Sequence, residues 1–284
     1  MKVLVFGATG MLGNAVIRVL SEMDHWNVFG TIRSKDSKKF FSSQIGNNLI
    51  EVGDATNSNE LIKVFKKINP EVVINCISLS KQLLKIADPA VMNSIYSLLP
   101  HQLAKLCENN GSRFIQMSTD GVFSGKTGDY REEDLPDAHD LYGSSKYIGE
   151  VYENNVITIR TSIIGHELIT KDGLVESFLT NKGQFACHSR SIFSGFPAVV
   201  LAQIIRDVII PKTDLTGLYH IASHPISKCD LLKIIAQVYG KENKLIINDK
   251  VEINRSLNSE RFNSITGYSP PAWPELIKLM HSYQ

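Results

Sequence analysis

An apolar run, Val3-Leu4-Val5-Phe6, breaks into Gly7-Ala8-Thr9-Gly10-Met11-Leu12-Gly13 and continues as the helical pattern Ala15-Val16-Ile17-Arg18-Val19-Leu20. Strand, glycine turn and helix in direct succession constrain the fold more than any other feature of the chain. Glycines three apart allow a tight turn, close backbone approach to a pyrophosphate, and close packing of helix on strand. The amides that open the helix then face the anion. A glycine-rich turn without a ligand would share the spacing, but this one stands in the strand–turn–helix context that dinucleotide binding requires. Gly7, Thr9, Gly10, Met11 and Leu12 are expected to border the phosphates.

The pattern then repeats. Short β-branched runs at Val28–Thr31, Leu49–Val52, Val72–Asn75, Phe114–Met117 and Val156–Ile159 alternate with helical stretches such as Leu61–Phe65 and Leu98–Cys107. Such alternation predicts right-handed crossovers and an α/β doubly wound parallel sheet, a Rossmann fold. Strands without polar alternation fit a sheet covered on both faces. After Gly165 the pattern loosens, with helices expected near Leu174–Leu179, Val199–Ile210 and Lys228–Tyr239, a strand at Leu218–Ile221 and a Pro-rich tail at Ser269–Pro274. The reading is therefore a dinucleotide-binding domain over 1–165 and a smaller C-terminal substrate-binding lobe over 166–284, interleaved with it.

Composition narrows the function. Thirty Lys and Arg against 29 Asp and Glu argue against a nucleic-acid or polybasic membrane binder. No apolar run approaches the ~18 residues of a membrane helix. No leader-like segment opens the chain, so a soluble cytoplasmic protein is expected. The four cysteines, Cys76, Cys107, Cys187 and Cys229, form no CxxC pair and read as thiols of a reducing compartment. The eight histidines show no HxxxH or HExxH pattern, so no metal site is expected. His188 and His220 read as structural, and Trp273 as a packing anchor.

The second strand lacks the acidic residue that would grip a ribose 2′-hydroxyl. It ends Gly30-Thr31-Ile32-Arg33-Ser34, with Lys35, Lys38 and Lys39 beyond. A 2′-phosphate needs a cation there, so Arg33 points to NADPH, with NADH as the alternative. Asp54, with Ala55 beside it, is placed to reach an adenine amine or to cap the next helix.

Two segments carry the chemistry. Met117-Ser118-Thr119-Asp120-Gly121 follows a predicted strand, which puts its hydroxyls at the carboxyl edge of the sheet. Tyr142 and Lys146, four apart, share a helix face. An ammonium near the phenol would favour phenolate and lower its pKa toward neutrality. Thr119 could donate to the same oxygen, and hydroxyl, phenol and nicotinamide together make a carbonyl reductase site. Asp120 could tune that site or cap a turn.

GATGMLG at 7–13, STDGVFSG at 118–125, YREEDLP at 130–136, YGSSKYIGE at 142–150 and RTSIIG at 160–165 resemble the extended short-chain dehydrogenase/reductase superfamily, and within it the dTDP-4-dehydrorhamnose reductase family. GLYHIAS at 217–223, SKCDLLKIIA at 227–236 and RSLNSERF at 255–262 resemble relatives acting on nucleotide sugars. The resemblance implies Thr119, Tyr142 and Lys146 as the catalytic triad, with Lys146 also holding the nicotinamide ribose. It also implies that Cys76, Ile77 and Ser78 border the cofactor. The implied activity is NADPH-dependent reduction of a nucleotide 4-keto-6-deoxy sugar for surface polysaccharide precursors. Relatives usually carry Tyr where this chain has Gly121, which widens the site and leaves the sugar open.

A sugar pyrophosphate needs cations of its own. Arg190, Arg255 and Arg261 are the candidates, with surface salt bridges as the competing reading. A 4,6-dehydratase normally shows Thr-Asp-Glu, and Gly121 removes that Glu; a 4-epimerase typically shows an acidic residue after the second strand. A catalytically silent dinucleotide-binding subunit, like the regulatory subunit of methionine adenosyltransferase, stays as the alternative of a different class. The oligomeric state is left open, a homodimer among the options.

Overall fold

The computed structural model describes residues 1–283, the side chains of Lys81 and Lys85 excepted. Strands β1 (Lys2–Phe6), β2 (Asn27–Ile32), β3 (Leu49–Glu51), β4 (Val72–Asn75), β5 (Arg113–Met117), β6 (Val156–Arg160) and β7 (Gly217–His220) form one sheet in the order β3-β2-β1-β4-β5-β6-β7. Every pairing within it is parallel. The order reverses between β1 and β4, which opens a crevice at the carboxyl ends of those strands.

Helices α1 (Met11–Leu20), α2 (Ser58–Ile68), α3 (Leu99–Asn110), α4 (Leu141–Ile148), α5 (Ala198–Ile204), α6 (Lys228–Tyr239) and α7 (Trp273–Ser282) cover the sheet and build the lobe. β1 shows why the strands read as continuous apolar runs: Val3 and Val5 join the core under α1 and α5, while Leu4 and Phe6 join the opposite core under α2 and α3. In α2, Leu61, Val64, Phe65 and Ile68 recur at helical spacing and are buried. Asn57 starts that helix by accepting from the Asn59 amide, and Asn69 ends it in the left-handed region at φ 49°.

A π turn at Ser94–Leu98 leads into α3, whose first turn contains Pro100. Proline has no N–H to return to the Tyr96 carbonyl. The chain after α4 backs onto that carbonyl at Gly149, where a Cβ would lie 1.8 Å from the Tyr96 oxygen.

The second half departs most from expectation. Short strands Gln184–His188 and Lys244–Asn248 pair in parallel, and Ser191–Phe193 lies between Ile226–Ser227 and Ile253–Asn254. The region after Gly165, where Leu218–Ile221 is the one strand expected, also holds these short strands. The Pro-rich tail is the entry to α7, with Pro274 in its first turn, where a missing N–H costs nothing. Trp273 is 7% exposed and its indole N–H donates to the His224 carbonyl at 2.8 Å, an anchor as expected. Cys187 and Cys229, read as free thiols, are instead joined by a disulfide between the strand Gln184–His188 and α6. Forty-two residues of sequence separate them, but their Cα atoms lie 4.9 Å apart. Among the described residues no helix is long and apolar enough to cross a membrane.

Candidate active site

The turn between β1 and α1 is built around close backbone approach. Gly7 sits at φ +81°, and a Cβ there would lie 3.0 Å from the Ile77 nitrogen. A Cβ on Gly13 would stand 2.0 Å from the Gly7 carbonyl oxygen. Thr31 of β2 holds the turn from the side, its hydroxyl accepting from the Gly7 amide at 3.1 Å and its carbonyl from the Ala8 amide at 3.0 Å. Gly10, the N-cap of α1, gives no side-chain cap, so the amides over Met11 and Leu12 stay available for an anion. Side-chain-free, bare-amide geometry of this kind fits a dinucleotide pyrophosphate.

Arg33 lies exposed just past β2 and acts on Asp54, across the ends of β2 and β3. Hydrogen bonds from the Thr56 hydroxyl and amide hold the Asp54 carboxyl below its usual range, with Arg33 adding to the effect. Asp54 does not cap α2, a role that Asn57 fills; Ala55 lies beside it, half-buried. At the end of β4, Cys76 is buried and its thiol is pushed up to about 12 by burial, so it stays neutral. The Ile77 amide donates to Asn75 Oδ1 at 3.2 Å, and Ser78 Oγ meets the Tyr96 hydroxyl at 3.2 Å.

The strand end of β5 organises the rest. Lys146, 7% exposed, donates from Nζ to the Met117 carbonyl at 2.6 Å and lies 5.4 Å from the Tyr96 ring centre. Tyr96 also meets Tyr142 edge to face, with ring centres 5.3 Å apart. Thr119 Oγ1 accepts from the Gly121 amide at 3.0 Å and donates to Asp120 Oδ1 at 3.3 Å. Gly143, one residue past Tyr142, presses on this turn: a Cβ there would lie 2.3 Å from the Gly121 carbonyl. A Cβ at Gly121 would lie 3.2 Å from both Thr119 Oγ1 and Tyr142 Cε1, so this position borders those two side chains directly.

Electrostatics correct one expectation. Burial, with Tyr96 next and Asp120 and Asp140 adding to it, raises the Tyr142 phenol above its ordinary value; a hydrogen bond with Thr119 pulls the other way. The reading of a phenol lowered by Lys146 fails because the amine is tied to Met117 and the ring is desolvated. Burial thus favours the neutral form of the Tyr142 phenol. Lys146 falls to about 8, again through burial, with Glu150 opposing. Asp120 rises to about 6 through burial, against Arg255, Thr119, Ser162 and Lys228.

Of the three arginines, Arg255 stands at this site. It lies 3.9 Å from Asp140, acts on Asp120, and its buried Nε has no partner. Arg190 pairs with Glu252 at 2.5 Å, and Arg261 with Glu132 and Glu133 at 3.8 and 3.2 Å. His220 is a structural residue, its ring nitrogens meeting Arg160 and the Tyr130 carbonyl. Sequence reading missed Tyr96, whose helical spacing with Met92 and Leu99 looks like core alone, and Lys228 at the start of α6.

Residues 1–278 match the family model of the RmlD substrate binding domain. This chain belongs to that family. Its central sheet matches solved structures in fold. A dTDP-4-dehydrorhamnose reductase from Bacillus anthracis, solved with NADP, superposes with a TM-score of 0.81 at 20% identity, covering 100% of this chain and 99% of that one. Methionine adenosyltransferase 2 subunit beta of Xenopus tropicalis is 28% identical over 233 residues, 77% of this chain and 66% of the relative. A probable low-salt glycan biosynthesis reductase, Agl14 of Haloferax volcanii, is 32% identical over 151 residues, 53% of this chain and 48% of the relative. The RmlD-family chain thus spans about half to two thirds of the curated relatives it matches.

Proposed function

We propose that this RmlD-family chain is an NADPH-dependent reductase of the 4-keto group of a nucleoside-diphosphate 6-deoxy sugar. The observation that carries the reading is the meeting of Thr119, Tyr142 and Lys146 at the carboxyl end of β5. The glycine cradle of the β1–α1 turn lies at the same edge of the sheet. NADPH, when bound, supplies the hydride. Tyr142 gives the proton to the carbonyl oxygen, Thr119 orients that oxygen, and Lys146 holds the cofactor ribose. Arg255 takes a phosphate of the sugar nucleotide, which gives its unpartnered Nε an acceptor. Gly121 leaves room beside the sugar for a substituent such as a 2-acetamido group, so a UDP-2-acetamido-4-keto-6-deoxyhexose competes with dTDP-4-dehydrorhamnose. Surface glycan precursor synthesis is the setting, in line with the name of the Haloferax relative.

The test is NADPH oxidation with a panel of dTDP and UDP 4-keto-6-deoxy sugars, products read by chromatography. NADPH binding without turnover of any of them overturns the reductase reading. That outcome would favour a regulatory dinucleotide-binding subunit, the reading that the methionine adenosyltransferase relatives support.

Two variants probe the assignments. Arg33→Ala should cut the NADPH-over-NADH preference in kcat/KM by ~10-fold or more, the worth of a charge-assisted phosphate contact. An unchanged preference rejects Arg33 as the phosphate partner. Arg255→Ala should raise KM for the sugar nucleotide by ~10-fold or more and leave NADPH affinity alone. An unaltered KM removes Arg255 from the phosphate site.

A further inference from the structure

Tyr96 joins the segment after β4 to the helix that carries Tyr142 and Lys146. It stands in the π turn Ser94–Leu98 and is 1% exposed. That turn is fastened to α4 by its neighbours: the Ser97 hydroxyl donates to the Ser145 carbonyl at 3.0 Å, and the Ser145 hydroxyl donates to Asn93 Oδ1 at 3.1 Å. Neither bond involves the Tyr96 side chain, which reaches in two other directions. Its hydroxyl accepts from the Leu79 amide at 2.8 Å and meets Ser78 Oγ at 3.2 Å. Its ring centre lies 5.4 Å from Lys146 Nζ and 5.3 Å from the ring centre of Tyr142.

A cation within about 6 Å of a ring centre is drawn to the ring face by its quadrupole, and more strongly where water is excluded. Lys146 is buried, so its ammonium meets that condition. An ammonium has three donors, and the Met117 carbonyl takes one of them. The ring face attracts the charge without needing a hydrogen-bond donor, which leaves the others for a ligand. At its other end the phenol answers the amide of Leu79, itself buried. Leu79, Met92 and Tyr96 also form a small apolar cluster, so packing is the competing account of this ring. Packing needs only bulk, whereas a hold on Lys146 depends on how much negative charge the ring face carries.

We infer that Tyr96 is a positioning residue for the dinucleotide: its ring face steadies the Lys146 ammonium while its hydroxyl pins the Ser78–Leu79 segment. The inference rests on the reading in which Lys146 holds the cofactor ribose and Ser78 borders the cofactor. Both contacts then serve one ligand, and weakening either end of Tyr96 loosens its binding.

The experiment replaces Tyr96 in the full chain with Phe and then with 4-fluoro-, 3,5-difluoro- and 3,4,5-trifluorophenylalanine. Fluorine drains the ring face of negative charge and changes its size little, so the series keeps the packing. NADPH Kd is read by fluorescence titration, stability by denaturant melts, and KM and kcat with any keto-sugar that reacts. Tyr96→Phe should raise the NADPH Kd ~3-fold or more, through loss of one buried hydrogen bond. Along the fluorinated series Kd should climb stepwise, by ~5-fold or more in all. The melts should stay level across that series, and KM for the sugar at saturating NADPH should hold. A Kd that is flat with fluorination overturns the inference, and so does a wild-type Kd in Tyr96→Phe. A Kd that follows the melting midpoint rather than the fluorine count also overturns it and makes Tyr96 a packing residue. Should no sugar nucleotide react, the reductase reading fails while the NADPH titration still judges Tyr96.

Discussion

Tyr142→Phe should lower kcat at least ~100-fold, the usual scale of a positioned acid, while NADPH binding persists. The phenol shares a hydrogen bond with Thr119, and burial raises it above its ordinary value. Phenylalanine retains the edge contact with Tyr96, 5.3 Å between ring centres, so the packing survives and the acid alone is lost. Stopped-flow hydride transfer with a reactive keto-sugar, together with NADPH fluorescence titration, separates the two effects. Near-normal turnover would remove Tyr142 as the acid, and loss of NADPH binding would mean the ring serves the cofactor instead.

Gly13→Ala should be the most damaging single methyl in the chain's first half. The added Cβ would be placed 2.0 Å from the Gly7 carbonyl oxygen and 3.2 Å from the Ala8 Cα, all of it backbone. Flexible side chains can yield to an extra methyl, but here α1 must move off the turn. The cost in stability should be about 3 kcal/mol or more, at or beyond the upper end of overpacking. NADPH affinity should fall at least ~100-fold, because the helix amides leave their positions. Denaturant melts and cofactor titration read both, and a variant of normal stability and affinity would show that the turn has slack.

How legible the chain was varies with the range over which each feature is decided. β4 at Val72–Asn75 and α6 at Lys228–Tyr239 were visible to the residue, since apolar runs and helical period are local signals. The lobe strands were not. Ile226–Ser227 and Ile253–Asn254 are two residues each, and they are strands only because Ser191–Phe193 lies between them. No local pattern announces such a partner. The Cys187–Cys229 pairing is hidden for the same reason, 42 residues of separation closed by tertiary packing. In the site, Thr119, Tyr142 and Lys146 were read together from type and spacing, and the structure sets them at one strand end. The direction of the Tyr142 shift was not readable. Spacing says that Lys146 is near, but only the fold says that its amine is turned to the Met117 carbonyl and that the ring is desolvated.

The seventh strand has a consequence for how the molecule comes into being. β7 arrives more than fifty residues after its neighbour, with Leu218 opposite Thr158 and Tyr219 opposite Ile159. Until it is made, β6 stands at the rim of the sheet with a row of unanswered amides and carbonyls. The Arg113 guanidinium likewise waits for the carbonyls of Ile210 and Leu215, which it reaches at 3.2 and 2.9 Å. A chain halted at residue 165 would therefore carry an open, apolar rim, the kind of edge that recruits a second chain into cross-strand association. Ribosome-bound fragments of that length should be sticky and protease-sensitive until the later segment emerges and closes the sheet.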